Sequence, residues 1–317
     1  MRLTLFLFLA LSLLSAESML TRTRVLMGTY ASLTLPSNAN IFASKTFEKI
    51  AILEHSLSTF DTEASLYRLN HTHIPIEDAT LAQALRQAKT YYRDTNGYFD
   101  VTIGSITKTL YHFGEAHPSS PTKEVLAHAK RNIEGIHIEG STVRSDKDII
   151  IDLGGMGKGF AVDSAANFLL EHNITRGRIA LSGDIRCIGL CEIAIQSPFS
   201  DTTFATAHSL VNDLSVSTSG TYRRYATKPS EHHLIDPKTA SQEKNFVSVT
   251  LFAQADNSMI DAYATAVSVM PKAEALLFLK QHPNTGYILV EPNGKIIDGN
   301  WKKLVHLEWH FGTLLKR

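Results

Sequence analysis

The chain has 317 residues, with 31 basic and 31 acidic side chains, a formal net charge of zero and a pI near 7.3. Apolar residues make up 44% and charged residues 20%, the make-up of a folded chain with a sizeable core, and this excludes a basic nucleic-acid binder. The 14 histidines are scattered without HExxH spacing, which excludes that type of metal centre.

The N-terminus predicts export. Arg2 supplies a short positive region, residues 3–14 are a 12-residue apolar run, and Ser15-Ala16-Glu17-Ser18 follows with small residues. The run is short for a bilayer span and reads as a signal peptide over residues 1–18, cut near Ala16 or Ser18. An uncleaved anchor is the alternative. No Cys lies at its end, so a lipoprotein anchor is not supported. The expected location is the bacterial periplasm or the outer face of the inner membrane. Residues 19–317 then form one domain, with an excursion near residues 112–150.

Residues 22–35 alternate loosely and stop at Pro36, as a strand or hairpin with Met27-Gly28-Thr29 in the first strand. Ile41, Phe42, Phe47, Ile50, Leu53 and Leu57 form a helical stripe. A helix over residues 79–95 has Asp78 as N-cap and Gly97 beyond its end. A short helix is expected over residues 121–132. Strands are expected at 136–138, 149–153, 179–181, 193–195, 210–216 and 247–252. Helices are expected at 160–171, 258–270 and 273–281, the last two parted by Pro271, and a hairpin over 287–297 turns at Pro292-Asn293-Gly294. Helices and strands mix without βαβ alternation, so the fold class is α+β. Cys187 and Cys191 are too far apart to bond in one straight strand, while a bend at Gly189 would join them; free buried thiols are the favoured reading.

Residues 151–163 read Ile-Asp-Leu-Gly-Gly-Met-Gly-Lys-Gly-Phe-Ala-Val-Asp, with Gly154, Gly155, Gly157 and Gly159 crowded between an apolar run and a helix. Such a turn lets backbone approach an anion at a helix N-terminus. It is not a P-loop, because Gly159 follows Lys158, nor the dinucleotide fingerprint, because Phe160 stands where Gly or Ala is needed. A plain tight turn is an equally good reading.

Other stretches are as specific: Leu57-Ser58-Thr59-Phe60-Asp61, Gly97-Tyr98-Phe99-Asp100-Val101-Thr102, Ser182-Gly183-Asp184, Ser217-Thr218-Ser219-Gly220, His232-His233-Leu234-Ile235-Asp236-Pro237 and Asp261-Ala262-Tyr263-Ala264-Thr265. In this order and spacing the set resembles the ApbE family of FAD:protein FMN transferases, over about residues 24–270. The resemblance implies a T-fold-like arrangement of mixed sheets and packed helices. It implies an enzyme that uses Mg²⁺ and FAD, joins FMN by a phosphoester to a Thr of an exported acceptor, and releases AMP. Respiratory membrane complexes with exported flavin-carrying subunits are the implied setting. The alternatives are an FAD pyrophosphatase giving FMN and AMP, and a non-enzymatic periplasmic FAD binder.

The resemblance assigns roles residue by residue. Asp261 and Thr265 share a helix face at i, i+4, where a cap or solvated face is the plain alternative; with the Gly155 carbonyl they resemble the family's metal ligands. Asp152 and Lys158 resemble FAD contacts. Tyr98, Phe99 and Asp100 resemble a loop under the flavin or adenine, and Phe60 a stacking position often held by Tyr. Met27 and Ile235 resemble apolar FAD contacts, though core packing also accounts for both. His233 resembles a required His, suited to act as general base, with His232 turned to the opposite face of a strand. Asp236 orients the imidazole or caps the following turn. Ser217, Thr218 and Ser219 form a polar loop that binds phosphate or simply turns.

Overall fold

The computed structural model describes residues 18–222, 224–310 and 312. Apart from Ser18, the leader read over residues 1–18 lies outside them. Strands β1 (Met19–Leu26) and β2 (Thr29–Pro36) form a hairpin. Met27 and Gly28 have φ of 52° and 68°, so they are the two left-handed residues of a tight turn and not part of a strand as expected. Helix α1 (Phe42–Leu57) buries Phe47, Ile50, Leu53 and Leu57 on one stripe. Next come α2 (Ser65–Thr72), β3 (Ile76–Glu77) and α3 (Ala79–Asp94). The Asp78 carboxylate accepts the Leu81 N–H at 3.0 Å, and Gly97 follows α3 at φ 79°, as the sequence predicts. The one-turn α4 (Gly104–Thr107) precedes α5 (Lys123–His128), which is shorter than expected because Thr122 caps its start and the chain turns extended at Ala129. Strands β4 (Ile136–Glu139) and β5 (Thr142–Ser145) pair with each other, and β3 pairs with β5.

Residues 149–153 form no strand. Ile149, Ile151 and Leu153 are buried as their apolar character requires. The polar groups of Ile151 are met by one side chain: Asn70 Nδ2 donates to the Ile151 carbonyl at 2.8 Å, and the Ile151 N–H donates to Asn70 Oδ1 at 2.9 Å. The apolar run signalled burial, and a buried amide took the place of a ladder partner.

Helix α6 (Gly157–Glu171) starts inside the glycine turn. Then follow β6 (Gly177–Leu181), β7 (Asp184–Ile188), β8 (Glu192–Gln196), β9 (Thr203–Ser209), β10 (Leu214–Gly220) and β11 (Ser248–Gln254). Strand β10 starts later than expected and takes in Ser217, Thr218 and Ser219, which therefore are strand residues and not a loop. The last elements are α7 (Asn257–Val269), α8 (Lys272–Gln281), β12 (Gly286–Val290), β13 (Ile296–Gly299) and β14 (Val305–Trp309).

The main sheet has the order β1-β2-β6-β7-β10-β11-β12-β13, with antiparallel neighbours throughout. Leu33, Leu181, Val249, Leu251 and Leu289 on one face share a core with α1, α6 and α7. Val216, Phe252, Ile288 and Val290 on the other face pack with Ile193, Phe204 and Val305 of the small sheet β14-β9-β8. Covered on both faces, β11 is buried without alternation from Ser248 to Ala253, Ser248 and Thr250 included. The fold is α+β, in helix–sheet–sheet layers.

Cys187 and Cys191 are disulfide-bonded, with Cα atoms 6.0 Å apart, which corrects the expectation of free thiols. The chain turns at Gly189 (φ 74°) as it leaves the main sheet for the small one, so the two cysteines do not share a straight strand. No helix of the described residues is long and apolar enough to cross a membrane.

Candidate active site

Helices α6 and α7 cross where the glycine turn enters α6. A Cβ at Gly159 would lie 2.5 Å from the Asn257 carbonyl oxygen and 2.9 Å from Asp261 Cβ, so glycine is required for the crossing. The approach lets the Gly159 N–H donate to Asp261 Oδ2 at 3.0 Å. The Gly157 N–H donates to the Leu153 carbonyl at 2.7 Å. The α6 N-terminus, expected to offer its amides to a phosphate, thus already spends these two within the protein; a carboxylate meets its partial positive charge. The arrangement is reciprocal. Asp163 on α6 accepts the N–H groups of Asn257 and Ser258, at 3.0 and 2.8 Å, at the start of α7, and pairs with Arg186 at 2.7 Å. Burial raises the Asp163 carboxyl despite these bonds.

Asp261 is buried, and Lys158 reaches it from the neighbouring turn. Lys158 Nζ lies 2.8 Å from Asp184 Oδ2 and 3.3 Å from Asp261 Oδ2. Burial and the Asp184 carboxylate push Asp261 above the usual carboxylate range. The two carboxylates outweigh burial at Lys158 and raise its ammonium. One turn after Asp261, Thr265 Oγ1 donates to the Gly155 carbonyl at 3.3 Å. A Cβ at Gly155 would lie 3.0 Å from Thr265 Oγ1 and 3.3 Å from the Phe99 ring.

Among the described residues no group of three or more His, Cys, Asp or Glu is placed to hold a metal. Asp261, Thr265 and Gly155 instead bring one carboxylate, one hydroxyl and one carbonyl together, all hard oxygens of the kind Mg²⁺ takes. The 3.3 Å between Thr265 Oγ1 and the Gly155 oxygen is near the roughly 2.9 Å edge of an octahedron with Mg²⁺-length bonds, and Asp261 stands one helical turn before Thr265, so the donor chemistry suits that ion.

Asp152 closes the other side of the turn. Its Oδ1 accepts the Gly154 N–H at 2.9 Å, its Oδ2 accepts the Thr107 hydroxyl at 2.6 Å, and Lys108 Nζ stands 3.8 Å away. Burial alone would raise this carboxyl, but Lys108, Thr107 and Gly154 together hold it below the usual range. Lys108 also lies 4.1 Å over the Phe60 ring, which is 53% exposed and open to stacking. Met27 Cε is 3.8 Å from where a Gly157 Cβ would stand, at the mouth of α6.

His233 is half-buried. Its ring Nδ1 lies 3.2 Å from the Arg224 carbonyl, which only accepts, so Nδ1 carries the proton and Nε2 is left as the proton acceptor. Burial first, then the Arg224 and Lys158 charges, push this imidazole down to about 4, so it is neutral at pH 7. No regular strand holds the two histidines; they lie beside an isolated bridge from Tyr225 to His232. His232 is buried and donates from Nε2 to the Glu243 carbonyl at 3.1 Å. Asp236 caps the next turn, accepting from the Lys238 N–H at 2.8 Å and the Thr239 hydroxyl at 3.0 Å; no bond to the imidazole is seen.

The remaining positions are more internal. Phe99 is core, packed edge-on against Tyr91. Tyr98 is buried under Lys238, whose Nζ is 3.6 Å from the ring centre. Asp100 is buried and caps the turn at Thr102, accepting its N–H at 2.8 Å and its hydroxyl at 2.7 Å. Ile235 packs with Ile106, Tyr111 and Phe113. The structure therefore gathers Gly155, Lys158, Asp261, Thr265, Phe99 and Met27 about the start of α6, with Asp152 and Phe60 beside it. Sequence reading missed the parts played by Asp184, Asp163 and Lys108. Asp184 stood in a quoted motif and so was within reach; Lys108 had no local signal.

An α+β fold with carboxylate, hydroxyl and carbonyl oxygens at a glycine-mediated helix crossing sets this site apart from P-loop and Rossmann proteins. The chain belongs to the ApbE family, which it matches over residues 27–289. It is 31% identical over 271 residues to a Vibrio cholerae protein named FAD:protein FMN transferase, covering 78% of this chain and 80% of that one. A Klebsiella pneumoniae protein of the same name is 25% identical over 283 residues, 86% and 89% of the two chains. The solved ApbE protein of Thermotoga maritima matches with a TM-score of 0.80 at 22% identity, over 89% of this chain and 97% of its own. The flavin transferase ApbE of Vibrio cholerae matches at 0.77 and 22%, over 93% and 99%. These two structures share the fold.

Proposed function

We propose that the chain is an FAD:protein FMN transferase, which moves FMN from FAD to a threonine of an exported acceptor protein and releases AMP. The observation that carries this reading is the placement of Asp261 and Thr265, one turn apart on α7, against the 154–159 turn, Asp261 at the Gly159 N–H and Thr265 at the Gly155 carbonyl. Membership of a family whose curated relatives carry that name supports it.

In this reading the acceptor Thr oxygen attacks the phosphorus of the FMN half. The bond from that phosphorus to the bridging oxygen breaks, and the bridging oxygen leaves with AMP. The hydroxyl proton passes to His233 Nε2, which is neutral and available at pH 7. Asp261, Thr265 and the Gly155 carbonyl would hold Mg²⁺, which when bound would supply Lewis-acid polarisation of the diphosphate and stabilise the charge on the departing AMP. Lys158 adds positive charge on the same side, and its two buried carboxylates keep it protonated. Phe60 presents a ring for stacking, and Met27 an apolar contact at the mouth of α6. The leader-like residues 1–18 and the Cys187–Cys191 disulfide support a periplasmic setting, since disulfides persist in oxidising compartments. Flavin-carrying subunits of respiratory membrane complexes are the acceptors in that setting.

Replacing Asp261 tests the metal assignment. Asp261→Asn is expected to lower FMN transfer by at least about 10²-fold at limiting Mg²⁺, the scale of a lost electrostatic contact to the reacting group. Full transfer at limiting Mg²⁺ contradicts the assignment.

A further inference from the structure

We infer that Asp184 is a positioning residue: it gives Lys158 a second and shorter carboxylate contact beside Asp261 and thereby sets how readily the Asp261 site takes up a divalent cation. The inference rests on the metal reading above.

Three charges lie within one buried cluster. Asp184 and Asp261 are 1% and 3% exposed, and Lys158 stands between them. Its contact is shorter with Asp184, at 2.8 Å, than with Asp261, at 3.3 Å. Asp184 is itself fixed, since its Oδ1 accepts the Ser217 hydroxyl at 2.6 Å across the β7–β10 pair. Asp261 Oδ2 is fixed from the other side by the Gly159 N–H at 3.0 Å. The ammonium is the mobile member, a point charge on a flexible four-carbon stem.

An ammonium and a divalent cation cannot share one carboxylate without strong repulsion in a low-dielectric site. With one carboxylate, Lys158 would pair with Asp261 and the cluster would be neutral, a poor host for a cation. With two, Lys158 has a second partner to retire to, and the cluster keeps one negative charge. That charge is costly to bury uncompensated, and a cation relieves it. Asp184 thus acts through Lys158, not by touching the cation. The same retreat keeps Lys158 beside the site, in reach of a diphosphate.

The test is Mn²⁺ binding to the chain from residue 19 onward, read from the EPR signal of free Mn²⁺, with Asp184→Asn and Lys158→Met made singly and together. Thermal unfolding of each variant confirms that it is folded. Asp184→Asn is expected to weaken Mn²⁺ binding about tenfold or more, and Lys158→Met to tighten it by a similar factor, the scale of one unit charge at close range. The diagnostic is the cycle. In the Lys158→Met background the loss from Asp184→Asn should shrink to less than about threefold, because the ammonium to be restrained is gone. Equal losses in both backgrounds would mean that Asp184 acts only as a distant charge, and would overturn the inference while leaving the metal reading intact. Wild type without detectable Mn²⁺ binding, and binding gained in Lys158→Met, is the limiting form of the expected order; no binding in either overturns it. Mn²⁺ binding unchanged by Asp261→Asn overturns the metal reading and the inference together. Should Asp184→Asn not fold, Lys158→Met carries the test alone, tightening being expected and unchanged affinity overturning it.

Discussion

The backbone N–H of Gly159 and the Asp261 carboxylate are joined at 3.0 Å where α6 and α7 cross too closely to admit a Cβ. Gly159→Ala must push the helices apart, because its Cβ meets backbone at 2.5 Å. The expected result is a loss of about 1–3 kcal/mol in stability from overpacking. Transfer activity is expected to fall on the order of 10²-fold, the effect of roughly 1 Å of misplacement at a site. Gly157→Ala is the control: its Cβ would meet only Met27 Cε at 3.8 Å and Leu153 Cβ at 3.9 Å, so stability should hold or rise slightly. Chemical denaturation of both variants checks the pair.

Asn70 satisfies both polar groups of Ile151 from 81 residues away. Asn70→Leu leaves a buried N–H and a buried carbonyl without that partner, and is expected to cost about 2–4 kcal/mol at the usual price of unmade bonds. Urea denaturation of the variant against wild type reads this directly, and a change below about 1 kcal/mol would place the Ile151 groups elsewhere.

These positions show where sequence reading stops. Helix caps such as Asp78, the Pro271 break and the 292–294 turn act within a few residues, so local pattern predicts them. That Asp261 and Thr265 share a helix face was legible for the same reason, while their reading as metal ligands came from the family resemblance alone. Residues 149–153 were misread as a strand because an apolar run reports burial but not the hydrogen-bond partner, and Asn70 is remote. Ser217 was misread as a loop residue because a polar side chain in a central strand needs a partner such as Asp184, which lies across the β7–β10 pair. Asp163 capping a helix nearly a hundred residues later leaves no local trace at all.

The Cys187–Cys191 bond closes a short loop where the chain passes from one sheet to the other. The chain-entropy model gives about 2 kcal/mol for so short a loop. Denaturation with and without a thiol reductant is expected to differ by about that amount, and Cys187→Ala/Cys191→Ala should abolish the difference. A wild type insensitive to reductant would contradict the bond's contribution.

His233 is pushed down to about 4 from an ordinary value of 6.5. Between these values the unfolded chain takes up a proton that the folded imidazole refuses. The His233 contribution to stability is therefore lost as pH falls from about 6.5 towards 4, and is level above and below that window. His233→Gln should flatten the acid-side slope of stability against pH. For activity, the acid limb of kcat/KM should lie well below pH 6.5, and His233→Gln should lower transfer by about 10²-fold or more if it removes the general base. An acid limb near 6.5 would point to a different base.

The most direct test of the central claim incubates the chain from residue 19 onward with FAD, Mg²⁺ and an exported acceptor domain that the Vibrio cholerae transferase labels in parallel. The denatured acceptor is read by mass and flavin fluorescence, and the solution for AMP. The account predicts an acceptor heavier by one FMN on a threonine, with one AMP released for each. FAD left intact, or split to FMN and AMP while the acceptor stays unlabelled, would contradict it.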